Sequence, residues 1–129
     1  MKALLDTHAL LWWWTDDPLL SATARSFIIQ NQDNTILVSA ASAWEIATKY
    51  RLGKLDSAAE AVSRFHELAT LDAFEHLPVT SLHALRAGTL EVDHRDPFDR
   101  MLAAQCELEG VPLITCDAAF AGFRVRTMW

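Results

Sequence analysis

Cysteine is scarce in this sequence, basic charge is in deficit and no apolar stretch runs long, and each shortage excludes a class of protein. The two cysteines, Cys106 and Cys116, stand in no metal-ligand spacing, so zinc is a poor fit and both thiols are expected to be reduced in a cytoplasmic protein. The N-terminus has no charged leader followed by a long apolar stretch and a small-residue cleavage site. Asp6 and His8 interrupt the first apolar run and Asp16 and Asp17 end it, which leaves nothing long enough to span a bilayer and no membrane role to expect. With 11 Lys and Arg against 17 Asp and Glu, the net charge of −6 argues against a wide basic face for nucleic acid. Work on nucleic acid then requires a small site, a bound cation or a local patch. Internal repeats and low-complexity tracts are also missing.

What is present is the composition of a soluble globular domain. Hydrophobic residues make up 51% and charged residues 22%, and 129 residues suffice for one domain, residues 1–129, with its own core.

Ala3-Leu4-Leu5 is a continuous apolar run of the kind that suits a buried parallel strand, and Asp6 stands at its C-terminal end. A short helix over His8–Trp14 is expected next, then one over Ala22–Gln30 capped by Ser21. Thr35–Val38 reads as a strand and Ala43–Arg51 as a helix closed by Gly53, with Trp44 and Ala47 facing inward and Glu45 in its first turns. Asp56 or Ser57 is expected to cap a helix carrying Ala58, Ala61, Val62, Phe65 and Leu68. Phe74–Val79, interrupted by Pro78, reads as an edge strand. A helix capped by Thr80 or Ser81 ends at Gly88. Asp96, Pro97 and Asp99 form the best helix start in the chain, for a helix to about Glu109. Val111–Thr115 is then a buried strand that delivers Asp117, and Phe123–Met128 a last strand.

Alternating strands and helices favour a parallel sheet between helical layers, because parallel neighbours need crossover connections. Asp6 and Asp117 each follow a buried strand, while Glu45 and Asp99 lie in the first turns of helices. All four positions belong to one edge of such a sheet. Carboxylates packed together repel and raise one another's pKa unless a cation compensates them. Mg²⁺ or Mn²⁺, which prefer oxygen ligands, meet that need, and such ions polarise phosphoryl oxygens and activate water for phosphodiester hydrolysis.

Four stretches, LLDTHALLW, SAWEIATKYRLGKL, DPFDRMLAAQ and LITCD, together resemble a PIN-domain protein of the VapC toxin type over essentially the whole chain. The resemblance implies an α/β fold, a three-layer α/β/α sandwich with a central parallel sheet of about five strands. It also implies Mg²⁺- or Mn²⁺-dependent endoribonuclease activity on RNA, a cognate antitoxin protein and a homodimer. By the same analogy the acidic site maps onto Asp6, Glu45, Asp99 and Asp117, with Asp96 as a fifth carboxylate beside them and Asp6 and Asp99 in direct contact with the metal. Asp96 is equally explained as a helix cap. The basic residues Lys49, Arg51, Lys54, Arg95 and Arg100 offer a local patch for RNA phosphates.

Two rival readings stand beside this one. A phosphatase of the haloacid-dehalogenase type uses an Asp after the first strand as a nucleophile, but needs a second Asp two positions on, where this chain has His8. The other is a non-catalytic module whose acidic pocket recruits a metal or a basic peptide. Trp12, Trp13 and Trp14 cannot share one helix face, so at least one is expected to be exposed or covered by a partner, as a dimer or antitoxin surface in preference to a stacking platform for bases.

Overall fold

Strands that are apolar on both faces must be covered twice, and the chain meets that requirement by stacking helices on either side of one sheet. The computed structural model describes residues 1–129. Five strands, β1 (Lys2–Leu5), β2 (Thr35–Ser39), β3 (Glu75–Leu77), β4 (Leu113–Ile114) and β5 (Thr127–Met128), are all parallel and lie in the order β3-β2-β1-β4-β5. The helices are α1 (Thr7–Trp14), α2 (Ala22–Ile29), α3 (Ala40–Arg51), α4 (Ala59–Leu71), α5 (Ser81–Thr89) and α6 (Pro97–Glu109). Short 3-10 turns occupy Asp56–Ala58 and Ala118–Gly122.

Successive strand residues point to opposite faces, and both faces carry core. Ala3 and Leu5 of β1, Ile36 and Val38 of β2 and Ile114 of β4 join one cluster with α1, α2 and α4. Leu4, Leu37 and Leu113 join the other, with Leu102, Ala103 and Cys106 of α6. The neighbours of β1 are β2 on one side and β4 on the other, so the chain reverses its direction of travel across the sheet at β1. The crevice that such a reversal opens at the strand C-termini is where α/β sheets bind ligands.

A buried polar chain fixes the end of β2. The Ser39 hydroxyl donates to Gln105 Oε1 at 2.5 Å and accepts from the Ala41 amide at 3.0 Å, capping α3. Gln105 Nε2 donates to the Pro78 carbonyl. His83, buried on α5, takes the Thr80 amide on Nδ1 and so carries its proton on Nε2, which reaches Glu109 at 2.8 Å.

The sequence expectations hold for the sheet, for β3 at its edge and for the start of α6, where Pro97 follows the Asp96 cap and Gly110 closes the helix at φ 67°. They fail elsewhere for identifiable reasons. Because Ser39 is the cap, α3 begins three residues earlier than Ala43. Its inward face is therefore Ala41, Ser42, Glu45 and Ile46, and Trp44 is 60% exposed. Neither Asp56 nor Ser57 caps α4, which grows from a 3-10 turn without a side-chain cap. The helix α5 passes through Gly88 to Thr89. The last strand shrinks to Thr127–Met128 because Phe123 is drawn into the core at the end of the second 3-10 turn.

All three rings of the tryptophan run are half-buried. Trp13 packs near Phe74 and Trp14 meets Phe65 edge-on, while Trp12 meets Trp129. The Trp13 and Trp14 indoles both donate to one oxygen of Asp72, at 3.1 and 2.9 Å. Asp72→Leu leaves two half-buried donors without an acceptor and is expected to cost roughly 1–3 kcal/mol. Urea denaturation followed by tryptophan emission measures that loss.

Candidate metal centre

Asp6 follows β1 directly and caps α1. Its Oδ1 accepts from the Ala9 amide at 3.0 Å, and its Oδ2 accepts from the hydroxyl of Thr115, at the end of β4. The side chain is buried, which raises its pKa, while the Thr115 and Ala9 hydrogen bonds and the nearby His8 pull it down. The Thr7 hydroxyl, next in the chain, meets that of Ser42 at 3.0 Å. That buried contact holds the start of α1 against α3 and brings Glu45 to the same place.

Glu45 is 2% exposed. Lys49, four residues on, donates to Oε2 at 2.5 Å, and Oε1 is buried with no hydrogen-bond partner. Such an orphaned oxygen is costly and calls for a cation or donor. Asp96 spends Oδ1 on the Phe98 and Asp99 amides, at 2.9 and 3.1 Å. Asp99, in the first turn of α6, takes His94 Nε2 on Oδ2 at 2.8 Å. Burial pushes its pKa up to about 6, assisted by the charges of Asp96 and Glu45 and opposed by His94. Asp117 caps the second 3-10 turn through Oδ1 and is exposed.

These side chains border one space. Asp6, Thr7, His8, Glu45, Lys49, Asp96, Asp99 and Asp117 line one pocket of about 90 Å³ with no apolar residue in its wall. Asp96 is thus both the cap of α6 and part of that wall. Larger hollows exist, such as one of about 410 Å³ near the Arg86–Glu107 ion pair, but none gathers as many ionisable groups.

The donor set fits a hard divalent cation: five carboxylates, no thiol and an unsatisfied Glu45 oxygen. As the side chains stand, no three His, Cys, Asp or Glu groups converge tightly enough to chelate an ion. Lys49 occupies one of these carboxylates, Glu45, and His94 another, Asp99. Burial alone would lower the Lys49 ammonium pKa, but its contact with Glu45 and the charges of Asp96 and Asp99 raise it.

Two expectations about the basic residues separate here. Lys49 lines the pocket, whereas Arg100 donates to the carbonyls of Ala87, Leu90, Val92 and His94 and is therefore a brace for the loop before α6. Two of the site's contacts were not foreseen from the sequence, His94 with Asp99 and Thr7 with Ser42. His94 as the partner of Asp99 was within reach at a spacing of five residues. The Thr7–Ser42 contact carries no sequence signal, because it joins residues 35 apart.

The raised Asp99 pKa fixes the sign of a pH effect. The folded state holds the proton more tightly than the unfolded chain, so stability falls as pH rises from about 4 through 6 and then levels off. Asp99→Asn is expected to stabilise the metal-free protein at pH 7 by about 1 kcal/mol, allowing for screening of a partly exposed carboxyl, with the gain vanishing near pH 4. Chelator-treated protein unfolded in urea at the two pH values tests this.

The family model of the PIN domain matches residues 3–125. A stretch of 28 residues is 71% identical to Ribonuclease VapC16 of Mycobacterium tuberculosis, covering 22% of this chain and 20% of that protein. The match thus spans about a fifth of the curated relative. Among solved structures, VapBC2 from Rickettsia felis, bound to a DNA fragment from its promoter, aligns with a TM-score of 0.73 at 15% identity, over 99% of this chain and 98% of that one. DNA-bound VapBC from Salmonella typhimurium aligns at 0.68 and 17%, over 99% and 97%. FitAcB from Neisseria gonorrhoeae aligns at 0.64 and 19%, over 98% and 96%. At these identities the structures speak for the fold.

Proposed function

The chain belongs to the PIN domain family, and from that premise we propose that it is a Mg²⁺- or Mn²⁺-dependent endoribonuclease and the toxin of a toxin–antitoxin pair. The observation that carries the enzymatic reading is the all-polar pocket at the sheet switch point, walled by five carboxylates, one of which, Glu45, has a buried oxygen without a hydrogen-bond partner. Asp6 and Asp99 would hold the cation directly, with Glu45 and Asp117 completing the set and Asp96 beside them. When bound, the cation supplies Lewis-acid polarisation of a phosphodiester oxygen and lowers the pKa of water.

The protein's own groups prepare that chemistry. Thr115 and the Ala9 amide hold both Asp6 oxygens in fixed directions, and His94 does the same for one oxygen of Asp99. Lys49 brings positive charge to the pocket and is placed to meet a phosphate if it leaves Glu45. Hydrogen bonds to both oxygens of Asp6, and a histidine at position 8, favour a carboxylate that positions a cation over one that attacks phosphorus.

Purified protein free of any partner is expected to cleave a broad pool of single-stranded and structured RNA with Mg²⁺ or Mn²⁺, and to stop with a chelator. Asp6→Asn is expected to lower the rate at least 100-fold, in the range seen when one catalytic electrostatic group is lost. Intact RNA under all these conditions, or an Asp6→Asn variant as active as the parent, overturns the ribonuclease reading.

The partner reading draws on VapBC relatives that share the fold. The product of a small adjacent gene is expected to copurify with this chain and to suppress cleavage. Light scattering of the isolated chain is expected to give the mass of a homodimer.

A further inference from the structure

Beside the carboxylate pocket lies a second hollow, of about 240 Å³, lined by Asp6, His8, Trp12, Cys116 and Asp117. It shares Asp6, His8 and Asp117 with the smaller pocket of about 90 Å³. Whatever occupies it is therefore next to the group held by the carboxylates. We propose that this hollow is a shelf for one nucleobase of single-stranded RNA, the base adjoining the phosphate that enters the carboxylate pocket; the proposal rests on the ribonuclease reading above.

The walls select a base over other parts of a nucleotide. Two of the five lining residues are carboxylates, so the hollow repels a phosphate unless a cation intervenes. A base is neutral and presents N–H donors on its edge. Asp117 makes its hydrogen bond to the chain through Oδ1, to the Ala119 amide at 2.9 Å, which leaves acceptor capacity for such donors.

The rings supply the stacking face. His8 and Trp12 stand one helical turn apart on α1, with centroids 5.8 Å apart and planes tilted by 46°. Trp12 also meets Trp129 edge-on, at 5.8 Å with planes at 65°. A ring already held by its neighbours loses little freedom when a base stacks on it. Stacking on an aromatic side chain tolerates any base, since each has a π-face, so the shelf gives affinity first and selects among bases only through Asp117.

The test compares two fluorescent single-stranded RNA hexamers, one complete and one with a run of abasic nucleotides across its centre. Binding is read by anisotropy with Ca²⁺ in place of Mg²⁺, and cleavage is read separately with Mg²⁺. The abasic hexamer is expected to bind the parent protein roughly tenfold or more weakly. His8→Ala and Trp12→Leu are expected to shrink that difference, mainly by weakening the complete hexamer. Because Trp12 also packs inside the protein, a third arm leaves the sequence intact: N-ethylmaleimide reaches exposed Cys116 while Cys106 is 2% exposed. Alkylation is expected to weaken the complete hexamer and leave the abasic one unchanged.

Equal binding of the two hexamers to the parent protein overturns the shelf, as does an undiminished difference in His8→Ala and in alkylated protein. Cleavage without base-dependent binding removes the shelf and leaves the ribonuclease reading standing. Base-dependent binding without cleavage does the reverse.

Discussion

The Asp6 carboxylate, 5% exposed at the seam between β1 and β4, is the constraint around which this sheet edge is arranged. Taking a charge out of water costs several kcal/mol, and the cost is tolerable only when hydrogen bonds replace the lost hydration. Here one oxygen is satisfied from the start of α1 and the other from the end of β4. The same charge therefore stitches two neighbouring strands together at the point where the chain reverses direction across the sheet. The Thr7–Ser42 contact extends the stitch to α3, and with it to Glu45. Three elements far apart in sequence are thus located by groups within one residue of Asp6.

Crowding acids around that point has an electrostatic consequence. Glu45, Asp96 and Asp99 act on one another through a partly dry medium, and the rise of the Asp99 pKa to about 6 is one expression of it. Lys49 relieves part of the repulsion by sitting on Glu45, but it leaves the second oxygen of that carboxylate unsatisfied. The arrangement resembles a site held open by its own charge, with one resident ammonium where a divalent ion carries twice the compensation.

The fold was largely legible because its signals are local. Apolar runs that show no alternation mark strands covered on both faces, and Asp96-Pro97 and Gly110 bracket α6 by backbone chemistry alone. Four acids at strand ends and helix starts also predicted that Asp6, Glu45, Asp99 and Asp117 reach one edge, and all four line the same pocket. What escaped was set by tertiary contact. The inward face of α3 follows from Ser39 being drawn into the Gln105 network, 66 residues away, so Trp44 turned outward and Ser42 inward. The three tryptophans are half-buried because Asp72 and Trp129, distant in sequence, arrive beside α1.

Arg100 carries the last step. Read from sequence, it belonged to a basic patch that compensated for a net charge of −6. In the fold its guanidinium is committed to four backbone carbonyls, those of Ala87, Leu90, Val92 and His94. Those bonds shape the loop that presents His94 to Asp99, so Arg100 acts on the pocket through geometry. A guanidinium so engaged has little to offer a phosphate. The positive charge available inside the pocket then reduces to Lys49, with His8 at its margin. Around the pocket, Arg51, Lys54 and Arg95 remain exposed, and a cation bound by the carboxylates would add attraction for a polyanion, supported by contacts that do not depend on charge. Stacking on the rings beside Asp6 is a contact of that kind, and it is unaffected by the repulsion that net charge imposes.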